Sequence, residues 1–267
     1  MGSSESNRLL IPSYKKLVFL LAPLLAVSFL TTSCNKGPSY DDNCPYLTFN
    51  AEENSSLNYI EVGIANPDFY YSNDMKEWTK WDVNSSIEIK KGSKIYVKND
   101  DSFLSINYDR YVQFQMTGKI AASGDISSLI NKQEDKSKVG NYEYTNLFKD
   151  CDVLVRAPKL PATQIGVRSY DSMFANCSNL IEAPDLPATK ITDWSYVYMF
   201  YNCTNLTKAP NLPAEELGDG SYSNMFEGCE NLKKPPIISA TQLGSYCCNK
   251  MFRKCSKLEE APELLAK

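Results

Sequence analysis

The sequence predicts an α+β, β-dominated fold, in which a small antiparallel β-sandwich is followed by a solenoid of 26-residue rungs. Three observations predict it. Apolar and polar residues alternate between Tyr46 and Met116. A unit of constant length then recurs in register from Tyr144 onward. Hydrophobic residues make up 43% and charged ones 22% of the 267, which suits packed cores and not a disordered chain.

Residues 1–33 read as a signal peptide. Arg8, Lys15 and Lys16 give a positive start, and Leu17–Leu30 is an apolar run of 14 residues interrupted by Pro23. A membrane-spanning helix needs about 20 such residues, so the run fits the hydrophobic region of a secretory signal. Thr31, Thr32 and Ser33 follow, then Cys34. An apolar run closing on small residues and one cysteine resembles a bacterial lipobox, with Leu30 one residue farther from the cysteine than that pattern has it. The resemblance implies that Cys34 is acylated, becomes the mature N-terminus and anchors the protein to membrane. Without acylation, cleavage near Ser33 gives a periplasmic or secreted protein. Met1, Gly2 and Ser6 match a myristoylation pattern by chance, since an export signal diverts the chain from cytosolic acylation. Residues 34–43 are polar and read as a tether. Within them Asp41 and Asp42 resemble the acidic patch after the lipid cysteine in surface-exported lipoproteins of some Gram-negative anaerobes. That implies the outer membrane and the cell surface. Without residues 1–33 the chain carries 25 basic and 31 acidic residues, a balance that leaves no broad basic field for nucleic acid.

Residues 44–117 read as the sandwich. Ile60, Val62 and Ile64, then Ile87 and Ile89, then Ile95 and Val97, then Val112, Phe114 and Met116 repeat with period two, as half-buried strands do. Asn66-Pro67, Asn73-Asp74 and Gly92-Ser93 supply turns, and residues 87–97 read as a hairpin centred on Gly92. Trp78 and Trp81 are three apart and so on opposite strand faces, which predicts one in the core and one exposed for sugar stacking. Cys44 has no evident partner. Residues 118–143 read as an N-terminal cap, Gly118–Ile130, and a linker whose segment Asn131–Gly140 is polar.

The repeat occupies residues 144–267 as five rungs, the last incomplete. Phe148, Phe174, Phe200, Phe226 and Phe252 recur every 26 residues. So do Cys151, Cys177, Cys203, Cys229 and Cys255, and Leu154, Leu180, Leu206, Leu232 and Leu258. Tyr144, Tyr170, Tyr196 and Tyr222 keep the step, and Cys248 takes the fifth tyrosine place. This length falls in the leucine-rich-repeat range, so the rungs predict a leucine-rich-repeat solenoid. One copy cannot bury its apolar side chains alone, and stacking places each Phe and Leu on its counterpart, with about 1.5–3 kcal/mol per buried side chain. The APxLP segments predict short strand-like edges, because proline donates no ladder hydrogen bond. The Tyr-x-x-Met-Phe spacing suits a short helical turn on the opposite side. Repeat four departs from the pattern with Pro235 and Ser239, and no polar capping unit is visible after repeat five.

These rungs, with the stretches YSNDMKEWTKW and MTGKIAASGDISSLI, resemble the BspA-type leucine-rich-repeat surface lipoproteins of anaerobic Gram-negative bacteria over about Tyr46–Lys267. The resemblance implies a cell-surface protein that adheres to host matrix or plasma proteins.

Chemistry finds little support. Histidine is absent, which excludes Ser–His–Asp and Cys–His pairs and every histidine metal ligand. No phosphate-binding, dinucleotide or EF-hand pattern occurs, and the ladder lacks the paired cysteine spacing of a zinc site, so no catalytic residue, metal or cofactor is expected. The five rung cysteines read as small buried residues. The variable edge positions are Arg156 and Lys159, Glu182 and Asp185, Lys208 and Asn211, Lys234 and Ile237, and Glu260 and Glu263. Opposite charges on neighbouring rungs stabilise a stack by about 0.2–1 kcal/mol each. The same residues form a mixed-charge face for a protein ligand. Trp194, Tyr198 and Tyr201 belong to the opposite side and read as packing. The leading expectation is a non-enzymatic adhesin. The alternative is a glycan-binding accessory lipoprotein of a polysaccharide-uptake system, using Trp78, Trp81 or the repeat tyrosines. Behind these stand a carboxylate hydrolase and a spacer without a ligand.

Overall fold

The computed structural model describes residues 39–63, 65–101, 104–105, 107, 109–130 and 135–264. The signal peptide, Cys34, the start of the tether, Ile64 and residues 131–134 lie outside the described residues. Within them the chain is β-dominated, with several sheets, none of them closed. The α component of the expectation is reduced to one 3-10 helix, Ile126–Ile130.

Eight strands open the chain: β1 (Leu47–Ala51), β2 (Ser55–Val62), β3 (Phe69–Ser72), β4 (Thr79–Lys80), β5 (Ile87–Ile89), β6 (Lys94–Asn99), β7 (Tyr111–Thr117) and β8 (Ile120–Ser123). β5, β2 and β7 make a three-stranded antiparallel sheet. β8, β1, β6, β3 and β4 lie side by side in a second sheet. The sheets meet through aromatic rings. Phe114 of β7 lies 5.2 Å from Phe49 of β1 and 5.9 Å from Phe69 of β3, between ring centroids. Tyr59 of β2 packs edge-on against Phe69 and Trp81 and donates its hydroxyl to the Trp81 carbonyl. That anchoring decides which face of β2 turns inward. Leu57 and Tyr59 are buried, while Ile60 and Val62 are half-buried on the other face. A large ring with a satisfied hydroxyl buries more apolar area there than the two aliphatics would.

The 26-residue units follow. Short strands β9 (Lys138–Val139), β11 (Gln164–Ile165), β12 (Lys190–Ile191), β13 (Glu216–Leu217) and β14 (Gln242–Leu243) recur at that step. β9, β11 and β12 pair in parallel, as do β13 and β14. The proline-rich edges form single parallel bridges, Glu182 to Lys208 to Lys234 and Leu212 to Ile238 to Leu264. In the first unit the edge is a strand, β10 (Leu154–Arg156), which pairs with β8 and extends the second N-terminal sheet to six strands. The N-terminal aromatics and the repeat units thereby share one core.

The Tyr-x-x-Met-Phe segment is not helical. It is a run of turns in which every fourth residue is left-handed: Tyr142, Asn146 and Asp150 in the first unit, and Arg168, Ser172 and Asn176 in the second, with φ between 53° and 64°. Alternate amides bond three residues back, as Leu147 N–H does to Tyr144 O, and the amides between them leave the unit. The N–H groups of Tyr142, Tyr144, Asn146, Phe148 and Asp150 donate to carbonyls of Val167, Ser169, Asp171, Met173 and Ala175 at 2.8–2.9 Å. A helix cannot export alternate amides, because each is committed to the carbonyl four residues back. This pattern recurs between all successive units.

Side chains follow the same register. The phenylalanine rings stack at 5.3, 5.7, 5.5 and 5.8 Å from Phe148 to Phe252. Phe114 continues the column at the N-terminal end, 5.3 Å from Phe148. The tyrosine rings stack alongside at 5.5–5.9 Å. Each ladder thiol from Cys177 onward donates to the phenylalanine carbonyl of the unit before, at 3.0–3.1 Å. Gly220 occupies a left-handed position against Trp194, and a Cβ there would overlap the indole.

Phe200→Ser is expected to cost about 3–5 kcal/mol, since it opens a cavity in mid-column and buries a hydroxyl. A lowered urea midpoint with an unchanged slope checks it. Gly220→Ala is expected to lose about 1–3 kcal/mol through overlap with Trp194 and the left-handed φ. Gly92→Ala, at φ 79° but with no atom within 4 Å, is the comparison and loses less.

Candidate functional site

The edge side of the first units carries a groove. One cavity of about 570 Å³ is lined by Arg156, Glu182, Asp185 and Lys208, together with Val155, Ile181, Tyr40, Glu52 and Lys119. It is continuous through Arg156, Ala157, Pro184 and Asp185 with a second cavity of about 590 Å³ that adds Lys159 and Asp42. Through Val155, Ile181 and Lys119 it joins a third of about 550 Å³ that reaches Asn179, Asn205 and Asn231. The Glu182–Lys208–Lys234 backbone bridges set these side chains in one line, which is what a 26-residue register does to equivalent positions.

Five of the expected face residues therefore come together: Arg156, Lys159, Glu182, Asp185 and Lys208. Asn211, Lys234, Glu260 and Glu263 are exposed along the same edge but do not line these cavities. The cross-rung ion pairs expected between opposite charges do not form among the described residues; the ion pair at this face is Arg156 to Asp42, at 2.6 Å. Glu182 and Lys208 are bridge partners along this edge, but their side chains, like that of Asp185, extend into solvent. Ile181 adds an apolar surface that is 52% exposed beside them.

The other wall comes from the N-terminal residues. Arg156 donates to the Ala122 carbonyl at 3.0 Å and lies 5.0 Å from the Tyr40 ring. Tyr40 donates its hydroxyl to Glu52, and Lys119 pairs with Glu52 at 2.7 Å. Burial works to raise the Glu52 carboxyl, but the bonds from Lys119 and Tyr40 outweigh it and hold the pKa below the ordinary value. Burial and the same carboxylate push the Tyr40 phenol up to about 12. An ionised Glu52 with both partners in place is a structural wall and not a proton donor. Tyr40, Glu52 and Lys119 have no signal in the sequence, and nothing there joins Asp42 to Arg156, 114 residues away.

The aromatic alternative loses its chief residue. Trp81 is in the core, 1% exposed, with Nε1 donating to the Ser85 carbonyl at 3.0 Å, so it cannot stack on a sugar. Trp78 is half-buried against Tyr46 with Lys98 Nζ 5.2 Å from its ring. Trp194 holds Arg168 at 5.3 Å, and Tyr198 and Tyr201 form an edge-on pair. All eight described cysteines are free, and burial pushes the Cys177, Cys203 and Cys229 thiols up, so they stay protonated. Among the described residues no group of His, Cys, Asp and Glu is arranged to hold a metal, and no helix is long and apolar enough to cross a membrane.

Glu143 lies apart from the groove, in the serine column formed by Ser169, Ser195 and Ser221. It is 1% exposed and accepts the Leu104 N–H at 2.8 Å. Burial pushes its pKa up to about 8, with Asp101 adding to the shift. The folded state therefore binds this proton more tightly than the unfolded chain. Its contribution is complete below pH 4.5 and is lost as the pH rises through about 8. Stability is expected to decline across that window, and Glu143→Gln is expected to flatten the decline to the smaller part that buried Asp171, raised in the same direction, supplies. Urea midpoints measured across the window in both proteins check this.

No protein-family model matches the chain, and no curated protein or solved structure matches it.

Proposed function

We propose that this chain is a non-enzymatic surface lipoprotein of the BspA type. A lipid on Cys34 anchors it to the outer membrane, an antiparallel β-sandwich follows, and a leucine-rich-repeat solenoid presents the edge groove to a protein ligand. The observation that carries this reading is the groove itself: long, open to solvent, apolar at Val155 and Ile181, and flanked by unpaired charges of both signs at Glu182, Asp185 and Lys208. Mixed, solvated charge around an apolar floor is the composition that selects a protein partner and steers its approach. The stacked aromatic columns and the 26-residue hydrogen-bond register support the solenoid. The lipid anchor and the cell surface rest on the sequence around Cys34.

The test is binding of residues 38–267, a compact unit, to immobilised host matrix and plasma proteins. Saturable, salt-sensitive binding is expected, and reversing two groove charges together, Glu182→Lys with Lys208→Glu, is expected to weaken it about tenfold. Absence of saturable binding, or indifference to the reversal, counts against the groove. Acyl labelling of the full chain combined with surface proteolysis tests the anchor and the compartment separately.

A further inference from the structure

A further cavity, of about 500 Å³, lies among the N-terminal strands. Its walls come from three places: Ser39 and Tyr40, then Asn50 and Glu52 at the end of β1, then the turn Lys91–Lys94 that leads into β6. The volume is that of a small-molecule pocket. Tyr40 and Glu52 also line the groove, so they form the partition between the two. Phe49 and Ile95 are paired across β1 and β6 and point into the core, which turns the next pair, Asn50 and Lys94, to the opposite face.

Asn50 singles this cavity out. It is 7% exposed, and its Nδ2 donates to the Ala121 carbonyl at 3.0 Å and to Ser123 Oγ at 2.9 Å. Those bonds fix which way the amide faces. Its Oδ1 is shut off from water and has no hydrogen-bond partner. A buried acceptor in that state destabilises the fold until something donates to it. Other groups of the lining are also unengaged. Lys91 and Lys94 form no ion pair among the described residues, and the Ser39 and Ser93 hydroxyls form no hydrogen bond among them. Glu52 brings a carboxylate to the wall, but Lys119 and Tyr40 hold it.

We propose that this cavity binds a sugar ring bearing a carboxylate, as a uronic acid does. The carboxylate meets the ammonium groups of Lys91 and Lys94. Lys94 stands opposite Asn50, and as it turns to the carboxylate a ring hydroxyl donates to Asn50 Oδ1. The remaining hydroxyls bond with Ser39 and Ser93, which can donate or accept. The ring lies against Tyr40, which Glu52 keeps in place. A bare anion leaves Asn50 unpaired, because Oδ1 needs a donor. A neutral sugar leaves both ammonium groups without a counter-charge. An acidic peptide brings main-chain carbonyls, and the backbone amides of this lining are already committed: Ala51 to Ser93 O, Gly92 to Ala51 O, Ser93 to Lys90 O and Lys91 to Asn54 Oδ1. The proposal does not rest on the edge groove or on its protein ligand.

The test is calorimetry on the full chain in detergent with four probes: methyl glucuronide, methyl glucoside, acetate and an Asp-Thr dipeptide. Methyl glucuronide is expected to bind saturably, and more weakly as salt rises. Methyl glucoside lacks the carboxylate and acetate lacks the ring, and each is expected to bind about tenfold more weakly or worse. Lys91→Gln with Lys94→Gln, at an exposed and a half-buried position of the turn, is expected to weaken glucuronide binding about tenfold with the melting temperature unchanged. Bound glucuronide is expected to shift the side-chain amide resonances of Asn50, a readout that needs no variant to fold. The proposal is overturned if glucuronide does not bind, if it leaves the Asn50 resonances in place, or if the lysine variant binds it equally well. Glucoside binding as tightly would make the cavity a neutral sugar site, and acetate binding as tightly a general anion site; either result overturns it. A dipeptide that binds more tightly than glucuronide assigns the cavity to an acidic peptide instead.

Discussion

The hydrogen bond from an alternate amide to the carbonyl one unit ahead is the constraint on which the rest of the repeat depends. It requires each turn segment to aim its amides along the stack, and that requires a left-handed residue at every fourth position. For L-residues the left-handed conformation costs about 1–2 kcal/mol. Each net hydrogen bond contributes about 0.5–1.5 kcal/mol, so bonds alone roughly offset the backbone cost. The stacked rings and the buried leucines supply the surplus. Asn, Asp and Gly, which tolerate this conformation best, occupy positions 146, 150, 176, 202, 220, 224 and 228, while Arg168, Ser172, Trp194 and Tyr198 hold others where the junction bonds enforce it.

The direction of those bonds has two consequences. It makes the ends of the stack chemically unlike, and it lets the N-terminal strands terminate one of them. β7 supplies an amide to the first unit, Phe114 extends the phenylalanine column, and β8 pairs with the first edge strand. Backbone, ring and sheet are thus each continued across the junction by an element without the repeat. The same close fit explains the behaviour of the thiols. Each ladder cysteine is small enough to sit under a phenylalanine carbonyl and donate to it, a role in which burial favours the neutral thiol.

Much of this was legible from residue spacing. The buried columns of Phe, Tyr, Cys and Leu could be read off because a 26-residue period is a one-dimensional property, and like residues at one period must stack if they are to leave water. The single bridges at the APxLP edges followed from proline's missing donor. The turn segment is not helical as expected, because spacings of three and four satisfy a helix and a left-handed residue every fourth position equally well. The recurring Asn, Asp and Gly at that interval were the signal that separates them. In β2 the period of two was right, but Tyr59 and not Ile60 faced the core, since alternation does not say which face wins.

The sequence by itself therefore determined the unit length, the identity of the interior columns, the edge positions that carry charge and the absence of histidine chemistry. Tertiary structure decided which of those charges share a groove, that Tyr40, Asp42, Glu52 and Lys119 wall it, that Trp81 is withdrawn into the core, and which way the junction amides point. The division has one physical cause. Periodicity and composition are carried by residues close in the chain, whereas a groove wall or a hydrogen-bond direction is set by groups such as Asp42 and Arg156 that meet only after the chain has folded.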